Sequence, residues 1–139
     1  MKMQLVIVCA LVCFAAFANG NATYRDAMGR NQGSSSTYGN RTTYRDAQGR
    51  LQGTAQTSSA GTTYRDAQGR LQGTSRTDTS GRTTYRDSLG RLQGTATTDA
   101  SGRVTFRDAQ GRLQGTATTD SSGRVTYRDA QGRLKGTKR

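Results

Sequence analysis

A tandem repeat constrains this chain more than any other feature. The stretch from Arg103 to Gly123, RVTFRDAQGRLQGTATTDSSG, recurs through nearly everything after the first twenty residues. An aromatic marks each copy, at Tyr24, Tyr44, Tyr64, Tyr85, Phe106 and Tyr127, with spacings of 20, 20, 21, 21 and 21 residues. Periods in that range belong to repeat architectures. A leucine keeps step: Leu51, Leu71, Leu92, Leu113 and Leu134 each lie seven residues after their aromatic.

The N-terminus is of another kind. Lys2 precedes an unbroken apolar run of 13 residues, Leu5 to Phe17, and Ala16-Phe17-Ala18 has the small-x-small pattern of a signal-peptidase site. Such a run falls short of the roughly 20 apolar residues that cross a membrane as a helix. Residues 1–18 therefore read as a signal peptide and the protein as secreted, with no transmembrane segment in the mature chain.

Without that segment the composition is unusual. Both cysteines, Cys9 and Cys13, leave with the leader, so the exported chain has no disulfide or thiol chemistry. It carries 20 Lys and Arg against nine Asp, a net charge of +11, and has no His, Glu, Trp or Pro. Six Leu, two Val and one Phe make up its Leu, Ile, Val and Phe content, about 7 % of 121 residues. That content together with high charge is a signature of disorder, and a disordered cationic chain is one alternative. Fixed spacing of large residues argues the other way, because disorder does not require it.

Turn chemistry supplies the local structure. All nine acidic residues are Asp placed three before a Gly. Asp46, Asp66, Asp87, Asp108 and Asp129, with Gly49, Gly69, Gly90, Gly111 and Gly132, form one set of structural turns together with Asp26; Asp78, Asp99 and Asp120 form the other. Asp first and Gly fourth is the preference of a type I turn closed by a G1 bulge. Turns about ten residues apart leave room for short strands. Alternation supports them: Val104 and Phe106 are two apart, and Leu113 and Ala117 are expected on one face opposite Gln114, Thr116 and Thr118. Helix is disfavoured by the density of Gly and Thr. The expected fold is all-β: five to six repeats of 20–21 residues as an antiparallel hairpin ribbon or meander, with a β-solenoid as the alternative. Residues 43–139 carry the tandem hairpins. Residues 19–42 read as a degenerate first repeat or flexible leader, because Asn31 replaces the leucine and 33–40 lack an Asp turn.

The alternation of Tyr44, Asp46, Gly49, Arg50 and Leu51 with Asp99, Gly102, Arg103 and Val104 resembles the YD repeats of RHS and teneurin-type proteins, over about residues 23–134. The resemblance implies ribbons of β-hairpins. Here an Arg stands between Tyr and Asp, and the copies are too few for the large shell such repeats build, so an encapsulating role is not implied. In plan, a leader followed by about five strand-turn-strand repeats is also similar to curli-type secreted amyloid subunits, although their Ser, Gln, Gly and Asn motif is missing.

Electrostatics favours the meander. A solenoid stacks Arg45, Arg65, Arg86, Arg107 and Arg128 one strand apart, about 4.8 Å, where like charges cost about 0.9 kcal/mol even in water. A meander doubles the distance. A single-layer sheet would leave two edges open, which predicts self-association.

For catalysis the chain offers neither His nor Glu nor a mature Cys, and every Asp has a turn to make, so no catalytic residue, cofactor or metal site is expected. Two rows of arginine remain as candidate polyanion-binding residues: Arg45, Arg65, Arg86, Arg107 and Arg128 before the turns, and Arg50, Arg70, Arg91, Arg112 and Arg133 after them. Forked guanidinium donors suit phosphate, sulfate and carboxylate. Thr95-Ala96-Thr97 and Thr116-Ala117-Thr118 resemble ice-binding rows in only two copies, and the sequons at Asn21 and Asn40 matter only in a eukaryotic host. The sequence thus points to a secreted structural or surface-interaction repeat protein, expected to assemble into a fibre, matrix or coat. The alternative is a monomeric cationic module for anionic polysaccharide, lipid head groups or nucleic acid.

Overall fold

The computed structural model describes residues 20–139; the expected signal peptide lies outside them. These residues form twelve antiparallel strands: β1 (Gly20–Asp26), β2 (Asn31–Tyr38), β3 (Arg41–Asp46), β4 (Leu51–Ser58), β5 (Gly61–Asp66), β6 (Leu71–Thr77), β7 (Arg82–Asp87), β8 (Leu92–Thr98), β9 (Val104–Asp108), β10 (Leu113–Thr119), β11 (Val125–Asp129) and β12 (Leu134–Lys138). Each pairs with the next, as a meander requires. The ring then closes, because β12 pairs with β1 through Tyr24 to Lys138, Arg25 to Thr137 and Asp26 to Gly136. Closure removes the two open edges expected of a single-layer ribbon. Residues 19–42 contain β1, β2 and the start of β3, and β1 and β2 form the first hairpin.

The change of period from 20 to 21 residues has a local cause. The turns of the aromatic set all join an odd strand to an even one, so all six lie at one rim. At the opposite rim, β2–β3 and β4–β5 are joined by two residues, Gly39-Asn40 and Ser59-Ala60. The later three connections are Asp-x-x-Gly-Arg turns, in which Asp78 donates its N–H to the Arg82 carbonyl and accepts the Gly81 N–H, at 2.9 and 3.1 Å. Their loops hold three residues instead of two, which lengthens the repeat by one.

Inside the ring, large and small residues alternate. Every aromatic stands opposite a glycine on the following strand: Tyr24 with Gly33, Tyr44 with Gly53, Tyr64 with Gly73, Tyr85 with Gly94, Phe106 with Gly115 and Tyr127 with Gly136. On its other side each aromatic from Tyr44 onward faces Ser or Ala, for example Ala55 against Tyr64 and Ala117 against Tyr127. Aromatic rings lying over cross-strand glycines restore the burial that glycine itself lacks. Two buried groups result, one of Tyr24, Tyr44, Ala55 and Tyr64, the other of Tyr85, Ala96, Val104, Ala117, Val125 and Tyr127. The tyrosine hydroxyls need partners in this interior. Tyr24 and Tyr64 find them in Ser35 and Ser75, each at 2.8 Å. At the seam, Lys138 occupies the place that Ser or Ala holds elsewhere, and partial burial lowers its pKa.

One expectation about faces is corrected. Leu113 does not share the inner face with Ala117, because a bulge interrupts the β9–β10 register between Leu113 and Gly115. Gln114 is the extra residue, so parity reverses. Leu113 pairs with outward-facing Arg107 and is 39 % exposed, whereas Ala117 is fully buried. The same bulge recurs after Tyr24, Tyr44, Tyr64, Tyr85 and Tyr127.

Two glycines of one repeat play opposite parts, which gives a test. Gly111 has φ +81° and open space where a side chain would go, so Gly111→Ala costs only the left-handed backbone, about 1–2 kcal/mol. A side chain on Gly115 would run into the Arg128 carbonyl of the neighbouring strand. Gly115→Ala is therefore expected to lower stability more than Gly111→Ala in urea melts, and an equal or smaller loss would contradict this packing.

Candidate functional site

The candidate arginines come together at the rim of the six aromatic-side turns. Each turn is assembled around one carboxylate. Asp46 accepts the Gly49 N–H on its carbonyl at 3.0 Å and donates its own N–H to the Arg50 carbonyl at 2.9 Å, the hydrogen bonds of a three-residue loop closed by a bulge. Its Oδ1 accepts the N–H groups of Gln48 and Arg50, both at 2.9 Å. Its Oδ2 accepts Arg50 Nε at 2.8 Å and Gln52 Nε2 at 3.2 Å. The carboxylate is thereby fully engaged. Gln32, Gln72, Gln93 and Gln114 repeat the contact of Gln52, which accounts for the periodic glutamine; Lys135 stands in its place in the last turn.

Each predicted arginine is fixed to its turn by one strong contact. In the row before the turns, Arg45, Arg65, Arg86, Arg107 and Arg128 donate Nη1 to the carbonyls of Gly49, Gly69, Gly90, Gly111 and Gly132, at 2.8–3.0 Å. In the row after them, Arg50, Arg70, Arg91, Arg112 and Arg133 pair through Nε with Asp46, Asp66, Asp87, Asp108 and Asp129, at 2.7–2.8 Å. The turn glycines all have φ between 79° and 83°. The after-turn arginine side chains remain 72–76 % exposed while their aspartate side chains are 11–16 % exposed. Exposed ion pairs of this kind contribute little stability. Their effect is orientation: Arg50 uses Nε on Asp46 and Nη2 on Gln48, leaving three of its five donors.

Two further members of the rows were missed in the sequence. Arg25 donates to the Gly29 carbonyl at 2.8 Å and Arg30 pairs with Asp26 at 2.7 Å, as in the other hairpins. Tyr24-Arg25-Asp26 and Gly29-Arg30 are intact in the sequence and mark them, although Asn31 stands where the other copies have leucine. The rim thus carries twelve arginines against six aspartates. The opposite rim differs in chemistry: Ser80, Ser101 and Ser122 donate their hydroxyls to Asp78, Asp99 and Asp120 at 2.6 Å. Arg82, Arg103 and Arg124 offer those aspartates only backbone N–H groups.

Hydrogen bonding controls the charge of the turns. Desolvation raises the pKa of Asp46, but the Arg50 side chain and the N–H groups of Arg50 and Gln48 outweigh it and hold the carboxyl below its ordinary range. Asp26, Asp66, Asp87, Asp108 and Asp129 follow the same balance. In the other set the Ser80 hydroxyl and the Arg82 N–H lower Asp78, and Asp99 and Asp120 are also lowered.

Comparison with known proteins bears on the repeat. The family model described as RHS Repeat matches residues 65–104 and 86–125. The two matches are offset by 21 residues, one period of this chain. No curated protein matches the sequence. Among solved structures, alternansucrase in complex with isomaltotriose is similar at 23 % identity and a TM-score of 0.23, over 81 % of this chain and 10 % of that one. The present chain spans about a tenth of that protein's length.

Lowered carboxyl values fix the sign of the pH dependence. Groups whose folded pKa is depressed add stability above the ordinary carboxylate range, and that stability is lost as pH falls through the folded values. All nine aspartates act in the same direction, and no histidine titrates above them. The thermal midpoint is expected to be level from about pH 7 to 5 and to fall below about pH 4; a midpoint that rises on acidification would contradict the turn assignment. Over residues 65–125 the YD-repeat resemblance read from the Asp-x-x-Gly-Arg turns is matched by the RHS Repeat family.

Proposed function

We propose that this is a secreted, non-enzymatic repeat barrel that holds polyanions on the rim built by its six Arg-Asp-x-x-Gly-Arg turns. The observation that carries this reading is the anchoring of both arginine rows in one ring, each guanidinium fixed by one or two bonds with further donors left over. Arginines ordered before binding lose less side-chain freedom when a phosphate, sulfate or carboxylate arrives. Six turns with a surplus of one positive charge each match an array of anions better than a single small one. Secretion is supported by the leader-like residues 1–18 and by the repeat family. The fibre or coat reading drew its support from open sheet edges, and the pairing of β1 with β12 leaves no such edges in the barrel.

Binding of a heparin-type sulfated polysaccharide tests the proposal. Affinity should fall steeply with salt, as counterion release requires. Changing Arg50, Arg70, Arg91, Arg112 and Arg133 together to Gln should weaken binding at least roughly tenfold with the β circular-dichroism signal retained, since each lost charged contact is worth on the order of 1 kcal/mol. Changing Arg82, Arg103 and Arg124 should matter much less. Equal losses per arginine from the two sets would show general charge attraction and no rim site.

A further inference from the structure

The same rim is also where the barrel exposes its apolar side chains. Of the eight large hydrophobic residues left exposed among the described residues, seven lie there, and Tyr38 at the opposite rim is the exception. Met28 and Leu89 occupy the turn position that elsewhere holds Gln, and they are 76 % and 74 % exposed. They belong to the first and fourth hairpins, which lie on opposite sides of a closed ring of six. Leu51 and its four equivalents, each 39 % exposed, follow the turns on the outer wall beside the arginine stems. A soluble polysaccharide or nucleic acid would leave these side chains in water. A surface that joins negative charge to hydrocarbon would cover them.

Building on the rim reading above, we infer that the polyanion is the surface of an anionic lipid bilayer, on which the barrel stands with its six turns in the headgroup layer. Guanidinium groups of the rim meet lipid phosphates, and the aliphatic tips enter the boundary between headgroups and acyl chains. The barrel lies on the membrane and does not span it. Its strands are five to eight residues long, against about 9–11 for a spanning strand, and its outer wall carries Thr-Thr pairs such as Thr43 with Thr54 and Thr63 with Thr74. The opposite rim, with its Ser-capped aspartates, faces water.

Sedimentation with sucrose-loaded vesicles tests this. The protein should bind vesicles of phosphatidylcholine containing phosphatidylglycerol and not vesicles of phosphatidylcholine alone. The double variant M28S/L89S removes two tips that are 76 % and 74 % exposed, so the barrel should keep its circular-dichroism spectrum and its affinity for heparin. Its partition onto the anionic vesicles should fall roughly tenfold, the loss expected when two largely exposed aliphatic side chains no longer enter an apolar layer. Heparin binding without vesicle binding would overturn the membrane inference and leave the polyanion reading standing. Vesicle binding unchanged by M28S/L89S would overturn it as well, because charge alone would then account for the attraction. Failure to bind both heparin and vesicles would overturn both.

Discussion

The carboxylate at the head of each aromatic-side turn is the interaction on which the barrel depends. One Asp side chain accepts two backbone N–H groups on one oxygen and an arginine Nε with a glutamine amide on the other, as at Asp46. The backbone of a three-residue loop is thereby held in one geometry, and the loop fixes the register of the two strands it joins. Six such loops at one rim repeat that register around the ring. The two strands that begin and end the meander meet as a result, and no large hydrophobic core has to draw them together. This explains how a chain so poor in Leu, Ile, Val and Phe can be ordered.

Order at the rim propagates into the wall through the bulge that follows each turn. The extra residue, Gln52 or Gln114, reverses the parity of the even strand after its leucine. Glycine is then placed inside, opposite the aromatic, and leucine outside, beside arginine. Without the bulge the leucine and the glycine, two residues apart, would lie on one face, so that both would point into the barrel or both out of it. The bulge therefore decides which side chains fill the barrel and which are presented by it.

Much of this was legible in the residues. Turn chemistry is local, so Asp-x-x-Gly-Arg revealed the hairpins, their antiparallel order and the role of every aspartate. Closure was not legible. It rests on pairing Tyr24 with Lys138 and Asp26 with Gly136, far apart in sequence, and no local pattern announces which strands will meet. The outward leucines were hidden for another reason: alternation was counted through a residue that does not alternate. Arg25 and Arg30 were visible in principle, since their turn is complete, and only the substitution at Asn31 set that copy apart. With no free edge, the arginine rim became the feature with most to offer a partner, and the leucines moved outward gave it an apolar component.

The closed ring is the central claim, and a disulfide trap at the seam tests it most directly. Arg25 and Thr137 are paired on the outer wall of β1 and β12, and the chain beyond residue 18 contains no cysteine. Directly opposed residues in an antiparallel pair lie within the range of Cα separations a disulfide accepts. The variant R25C/T137C should oxidise to an intramolecular disulfide in a monomer, with the β-signal unchanged and the thermal midpoint raised. Disulfide-linked dimers and higher chains, or two thiols that stay free under oxidation, would contradict closure and return the protein to an open ribbon.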